Sequence, residues 1–194
     1  MTDKDGGNFL AAIRQVRRLM MDVSKVLLEV DSLMGQEGWE PRVGSTATSG
    51  GSYSINWPRN WIPFHVFRFY RNAEFPSVIP CVSVLFEAEA PKIQWHEPHV
   101  SAVIMEYEAG EPLPEGVQLY ACANWHLHVP NRRDDGTVNV VEPRALWPRE
   151  STAKRMSSFV IPLAQIRDQV TLRSMVVAPL LRALTDIRSL PAPV

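Results

Sequence analysis

The sequence predicts a single α+β domain, in which an antiparallel meander sheet of four to five strands is covered on one face by a long N-terminal helix and a C-terminal helical pair. Three observations predict this fold: a long amphipathic segment near the N-terminus, four strand-like runs joined by short connections, and a helical pattern near the C-terminus. The 194 residues are enough for one hydrophobic core. We assign residues 1–194 to this domain, with frayed ends at 1–7 and 189–194 and a mobile loop at 44–54.

The first predicted element is a helix over residues 8–34. Its apolar residues recur at alternating steps of four and three, the heptad-type spacing of a helix with one apolar seam. Gly35 is placed to end the helix. We expect the seam to lie across the sheet as its cover or, in part, to pair with a second copy of the chain. The seam consists of Phe9, Ile13, Val16, Met20, Val23, Leu27, Val30 and Met34.

Four strand candidates follow a loop at 36–54 that is rich in small polar residues. The connections between the candidates are too short for helical crossovers, which predicts antiparallel neighbours in chain order. The candidate strands are residues 62–71, 78–89, 99–108 and 117–129.

The first candidate strand has an irregular apolar pattern. Phe64 and Val66 would face one side of the sheet, whereas Phe67 and Phe69 would face the other. Two explanations are open: both faces of the strand are covered, or a bulge near Val66–Phe67 brings these residues to one face.

The last part of the chain predicts a mixture of short elements. A turn signal at 132–136 suggests a further hairpin that reaches residues 138–141. Residues 151–157 suggest a short helix, and residues 159–163 are a brief apolar run. From Ala164 to about Arg188 the apolar spacing is helical, and Pro179 should kink this helix or divide it in two.

The predicted meander gathers unusual side chains at one end of the sheet, which we call the rim. The start of the first strand, the end of the second, the start of the third and the end of the fourth all lie there. The rim would hold all five histidines of the chain and four of its six tryptophans. Its candidate binding residues are Trp57, Trp61, His65, Glu87, Glu89, Trp95, His96, His99, Trp125, His126 and His128.

Three kinds of function compete for the rim. His126 and His128 are two residues apart on a strand and point the same way, as metal-chelating pairs on strands do. A third ligand would come from His96, His99, Glu87 or Glu89. Alternatively, a glutamate beside a histidine would tune a general base, or exposed tryptophans and histidines would form a recognition patch. No motif fixes a third ligand or a nucleophile, so we favour no metal or cofactor and assign no catalytic residue.

Charge and hydropathy narrow the classes of partner. The net charge is −1, but residues 73–130 contain eight glutamates and one lysine. An acidic sheet disfavours nucleic-acid binding, which needs clustered cations. No apolar run is long enough for a membrane span, and the N-terminus lacks the basic-then-apolar order of a secretory signal. We therefore expect a cytoplasmic protein.

Cys81 and Cys122 lie in apolar strand-like runs, which predicts buried free thiols. Taken together, these features favour an intracellular, non-enzymatic binding or assembly protein that is an oligomer or a subunit of a larger complex. Its expected partner is another protein or a further copy of itself. The alternative is a small metal-dependent or acid–base enzyme that uses the His/Glu cluster at the rim.

Overall fold

The computed structural model describes residues 3–43, 48–49, 64–86, 96–115, 135–141 and 153–189. They form an antiparallel sheet with a long N-terminal helix and a C-terminal helical pair, which confirms the predicted α+β fold. The helical elements are α1 (Asp3–Gln36), a 3-10 turn (Leu163–Gln165), α2 (Gln169–Leu172), a π-helical turn (Arg173–Val177) and α3 (Ala178–Ser189). The strands are β1 (Glu40–Pro41), β2 (Thr48–Ser49), β3 (His65–Arg71), β4 (Val78–Leu85), β5 (His99–Glu106), β6 (Asn139–Val141) and β7 (Arg155–Pro162).

The strands follow the order β1-β3-β4-β5-β7-β6, and β2 also pairs with β3. The consecutive strands β3, β4 and β5 are antiparallel neighbours, as predicted. β6 lies within the residues where the sequence suggested a further hairpin. The sheet has more strands than predicted partly because β1 and β2 contain only two residues each. Such short strands leave no alternating pattern in the sequence. α1 begins at Asp3, so residues 3–7 of the predicted frayed N-terminus are helical, and two residues of the predicted mobile loop, Thr48–Ser49, form β2. The remaining residues of that loop, together with residues 1–2 and 190–194, lie outside the described residues.

Residues 155–162 form a strand where the sequence suggested a short helix followed by a brief apolar run, so that prediction was wrong. β7 pairs with β5 over its full length, from His99 opposite Pro162 to Glu106 opposite Arg155. The middle of β7 is buried on both faces, and such a strand lacks the apolar–polar alternation of a half-exposed one. β7 takes the edge of β5 that the predicted meander gave to residues 117–129, a run outside the described residues.

The irregular apolar pattern of β3 is explained by cover on both faces. β3 pairs with β4 in unbroken register, from His65 opposite Leu85 to Phe69 opposite Cys81, so these pairs contain no bulge. The two faces of β3 therefore contribute to different hydrophobic clusters. Tyr70 belongs to the cluster that includes the helices, whereas Phe67 and Phe69 belong to the other.

The described helices cover one face of the sheet, as predicted. The cluster on that face joins Val82 and Ala102 of the sheet to Val30 of α1, Val176 of the π-helical turn and Leu180 of α3. The cluster on the opposite face contains no residue from any described helix. Its buried members are Phe67, Phe69, Ile79, Cys81, Val103, Met105, Tyr107, Ala153 and Met156.

The C-terminus of α1 is fixed by Gly38 rather than by the predicted Gly35, which lies inside the helix. Gly38 has a φ of 78°, in the left-handed region that favours glycine. Its N–H donates to the Gly35 carbonyl at 3.1 Å, and the Trp39 N–H donates to the Met34 carbonyl at 3.0 Å. This pair of bonds is a Schellman motif, and both Trp39 and Met34 enter the core, which completes its hydrophobic contact.

The C-terminal helical pair begins later than the predicted Ala164. Asp168 caps α2: its carboxylate accepts from the Thr171 N–H at 2.8 Å, and the Thr171 hydroxyl accepts from the Asp168 N–H at 3.1 Å. The predicted interruption near Pro179 takes the form of the π-helical turn, which ends two residues before it. A change of helix type accommodates a residue that lacks an N–H and whose ring crowds the preceding turn.

Candidate functional site

The sheet has two ends, and each collects a different set of side chains. The rim end holds the starts of β3 and β5 and the ends of β4 and β7. The opposite end, which we call the groove end, holds the ends of β3 and β5 and the starts of β4 and β7. The candidate sites of the described chain are these two ends and the N-terminal part of α1.

His65 and His99 lie in one cross-strand row at the rim end. Leu85 separates them, because it pairs with His65 on one side and with His99 on the other. Adjacent strands are about 4.8 Å apart, so the two histidine backbones are about 10 Å apart and their side chains leave the same face. Both residues are nearly buried, 4% and 5% exposed. The fold thus brings two of the predicted rim histidines near one another.

Burial favours the neutral form of the His65 imidazole. Burial lowers the pKa of His65 to about 4, so the ring is uncharged at neutral pH. That ring stacks on Phe67 with a centroid separation of 4.8 Å. The Nδ1 of His99 lies 2.8 Å from the Glu97 carbonyl oxygen, to which an Nδ1–H donates. A neutral imidazole retains a lone pair that can accept a proton or bind a metal.

The rest of the rim is only partly placed. His96 lies before β5 and is exposed. Among the described residues, no group of three or more His, Cys, Asp or Glu side chains could hold a metal ion. The rim therefore stays a prediction, and the structure shows the surroundings of only two buried members, His65 and His99, among the described residues. Eight predicted members lie outside the described residues: Trp57, Trp61, Glu87, Glu89, Trp95, Trp125, His126 and His128.

The groove end contains a cavity of about 1040 Å³ that sequence reasoning missed. We call it the acidic groove, because four carboxylates and two guanidinium groups line it. These charged residues are Glu37, Glu40, Arg42, Arg71, Glu74 and Glu115. The signal was present in the sequence, because the same meander brings the connections 72–77 and 109–116 together at the end opposite the rim.

Local interactions shape the acidic groove. Phe75 lines it and stacks on the buried Trp39, with ring centroids 5.9 Å apart. The Oδ1 of Asn72 accepts from the Glu74 N–H at 2.8 Å, which fixes the turn between β3 and β4. The last turn of α1 reaches the groove without a basic residue, so the partial negative charge of the helix C-terminus adds to the carboxylates.

The N-terminal part of α1 is largely uncovered. We call residues 7–18 the exposed half of α1: their side chains, apart from Phe9, which is not described, are all exposed except the half-buried Ile13. The exposed half carries Leu10, 54% exposed, and Val16, 37% exposed. It also carries three arginines and no acidic residue. In the second half of the helix, Val23 and Val30 are 3% and 0% exposed. Sheet and C-terminal helices therefore cover only part of the predicted seam.

A charged cluster fixes the second half of α1, residues 19–36, which we call the covered half, to the sheet. The Asp31 carboxylate accepts from Arg68 Nε at 3.1 Å, from Arg68 Nη2 at 2.5 Å and from the Tyr70 hydroxyl at 2.9 Å. The side chains of Arg68 and Asp31 are 6% and 18% exposed. Burial, assisted by the Asp31 carboxylate, raises the pKa of Tyr70, so its hydroxyl stays a donor. This cluster is fully paired, and its role is to fix α1 on β3.

The face of the sheet opposite the described helices contains further polar groups. Ser83 and Ser101 face each other across β4 and β5, with their hydroxyl oxygens 3.2 Å apart. Cys81 is a buried free thiol, as predicted, and burial raises its pKa. A thiol held in its protonated form is a poor nucleophile, so Cys81 is a core side chain. Cys122 lies outside the described residues.

No family model, curated protein or solved structure matches the chain. None of the helices in the described part of the chain has the length and apolar character needed to cross a membrane.

Proposed function

We propose that this chain is a non-enzymatic assembly protein that associates with further copies of itself through the exposed half of α1. The observation that carries the proposal is the uneven burial of one heptad-type seam. Val23, Leu27 and Val30 are 3%, 4% and 0% exposed, whereas Val16, on the same seam, is 37% exposed. The apolar pattern thus continues beyond the surface that the rest of the described chain covers.

The composition of the exposed half supports a docking role. Single exposed aliphatic side chains are common on protein surfaces and need no explanation. Here, however, Leu10, Ile13 and Val16 recur at steps of three along one helix, with Arg14 and Arg17 between and beside them. A preformed helix with apolar and arginine side chains is a usual form of recognition surface. Association would remove this apolar surface from water.

A cytoplasmic location is part of the proposal. The free, buried thiol of Cys81 supports it, because reducing compartments keep cysteines unpaired.

The mass of the protein in solution tests the proposal. We expect the weight-average mass from analytical ultracentrifugation to rise with protein concentration above the 21.9 kDa of one chain. The double variant Leu10→Asp/Val16→Asp should lower it toward the monomer. Leu28→Asp is the control, since Leu28 is 64% exposed but lies outside the exposed half. A wild-type protein that stays monomeric at all concentrations would refute self-association.

The second candidate function is an enzyme that uses the rim. It is favoured by one observation: His65 and His99 lie in the same row, on the same face and at the predicted end of the sheet. Metal analysis of the purified protein and the variant His126→Ala test it. If no divalent metal copurifies and His126→Ala leaves the biological activity of the protein intact, this alternative fails.

A further inference from the structure

We infer that the exposed half of α1 docks into the acidic groove of a second copy, so that copies join head to tail. The inference rests on the proposed function, which names the surface that associates. The inference adds the surface of the second copy to which the exposed half of α1 binds.

The charge of the exposed half disfavours the simplest alternative, in which two α1 helices pair with each other. Arg14, Arg17 and Arg18 are exposed, and residues 7–21 contain no acidic side chain. Pairing this segment with its own copy would bring arginines close to arginines, and like charges across an interface suppress association. The segment therefore needs a partner surface that carries acidic side chains with apolar side chains between them.

The acidic groove has the complementary charge. Glu37, Glu74 and Glu115 line it and are exposed, so they are accessible to an incoming helix. The fourth carboxylate, Glu40, already pairs with Arg71 at 3.6 Å. The last turn of α1 contains no basic residue, so its C-terminus adds partial negative charge at the same place, where Arg42 is the remaining cation among the described lining residues. The opposite signs of the two surfaces would steer encounter and fix orientation.

The groove also offers apolar surface and space. Phe75, Val78 and Leu113 line it beside the carboxylates, which matches the mixture of Leu10 and Val16 with arginines on the helix. Its volume of about 1040 Å³ lies at the upper limit of small-molecule sites, about 1,000 Å³. A groove of this size that is open to several exposed carboxylates suits one turn or more of a basic helix.

The two surfaces cannot meet within one chain. α1 contains 34 residues, so its ends are about 50 Å apart, and the groove lies at its C-terminal end. The contact is therefore between copies, and the two copies use different surfaces. Such a heterologous contact makes a closed ring or an open chain, whereas a contact between identical surfaces stops at a dimer.

Two variants test the inference, because each would remove one of the two surfaces. The helix variant is Arg14→Gln/Val16→Gln/Arg17→Gln, and the groove variant is Glu37→Lys/Glu74→Lys. All five residues are exposed, and glutamine is a good helix former, so both variants should fold. Asp22→Lys/Glu97→Lys is the control: it makes the same change of charge as the groove variant at exposed sites away from the groove. Melting curves check that each variant is folded.

We expect each variant alone to associate at least about tenfold more weakly than wild type, while the control keeps the wild-type mass. An equimolar mixture should form a pair of one helix variant with one groove variant and nothing larger, because only one intact contact remains. If the groove variant alone keeps the wild-type mass while the helix variant does not, the exposed half docks on a surface other than the acidic groove, such as a second exposed half. The proposed function then stands and this inference fails.

Two further outcomes are decisive. If both variants keep the wild-type mass, neither surface mediates association and the inference is wrong. If the wild type is monomeric and instead sediments with vesicles of phosphatidylserine and phosphatidylcholine, the exposed half binds anionic lipid, and both the inference and the proposed function fail.

Discussion

Asp31 is the side chain that holds the long helix against the sheet. It accepts three hydrogen bonds from Arg68 and Tyr70, and 37 and 39 residues separate these partners from it along the chain. Such long-range pairing leaves no local pattern, so the sequence could not predict the cluster. The same holds for His65 and His99: their place in one row follows from the strand register, which the alternation of residues constrained but did not determine.

Removing the Asp31 carboxylate should be costly, because Arg68 would remain a buried cation. We expect Asp31→Ala to lower the free energy of unfolding by ~3 kcal/mol. The control is Asp22→Ala on the same helix, whose ion pair with Lys25 has side chains 71% and 68% exposed; that change should cost less than about 1 kcal/mol. Urea denaturation measures both, and equal losses would show that the Asp31 cluster is not buried as described.

His65 should make stability depend on pH. In the unfolded chain its imidazole has the ordinary pKa of 6.5, whereas burial lowers the folded pKa to about 4. Between these values the unfolded state binds more protons, so stability falls as the pH falls from 6.5 to 4, by up to ~3 kcal/mol. His65→Leu should flatten this part of the pH profile, and His96→Leu, at an exposed site, should leave it unchanged. The stability of each variant at a series of pH values decides whether the two profiles differ.

At the scale of the element, α1 is one helix with two environments. Its spacing of apolar residues was sufficient to predict a helix and its buried face. The same spacing could not show at which residue of α1 the buried part of the helix ends. That position depends on how far the sheet and the C-terminal helices extend along α1. For β7 the spacing of apolar residues gave no information about the element. A strand that is buried on both faces lacks the alternation of apolar and polar residues, so its sequence resembled a short helix followed by an apolar run.

A matched pair of substitutions on one seam separates the two environments. Val23→Asp would bury a carboxylate in the core and should lower the free energy of unfolding by ~3 kcal/mol or more, since Val23 is 3% exposed. Val16→Asp, at 37% exposure, should change it by about 0.5 kcal/mol or less and should weaken association instead. Thermal melts and sedimentation of both variants are the measurements. A large loss of stability from Val16→Asp would mean that the exposed half is part of the core.

At the scale of the whole molecule, the meander assigns each connection to one of two ends. The meander predicted the rim, and its opposite end would have predicted that the connections 72–77 and 109–116 lie together, although not that Glu37, Glu40 and Arg42 join them. The order β3-β4-β5 could be predicted because the connections are short. The edge beside β5 could not, because β7 lies about fifty residues further along the chain and reaches its place by a long-range pairing.

Association by charged surfaces should depend on salt. The Debye length falls from about 10 Å at 0.1 M salt to about 3 Å at 1 M, which screens exposed charges. We expect the weight-average mass of the wild type to fall toward the monomer as sodium chloride is raised over this range. Sedimentation at fixed protein concentration measures the effect. A mass that stays constant or increases with salt would indicate that apolar contact alone drives association.

The continuity of α1 has a consequence for the entropy of binding. A separate peptide of twelve residues is a marginal helix in water, because forming the first turn is unfavourable. Here the covered half of α1 supplies that nucleus, and the exposed half adds residues to a helix that already exists. A partner that docks on the exposed half would therefore meet a backbone that is largely ordered before contact, and little conformational freedom would be lost. The core of the domain thus stabilises, through one continuous helix, the conformation of a surface that it does not contact.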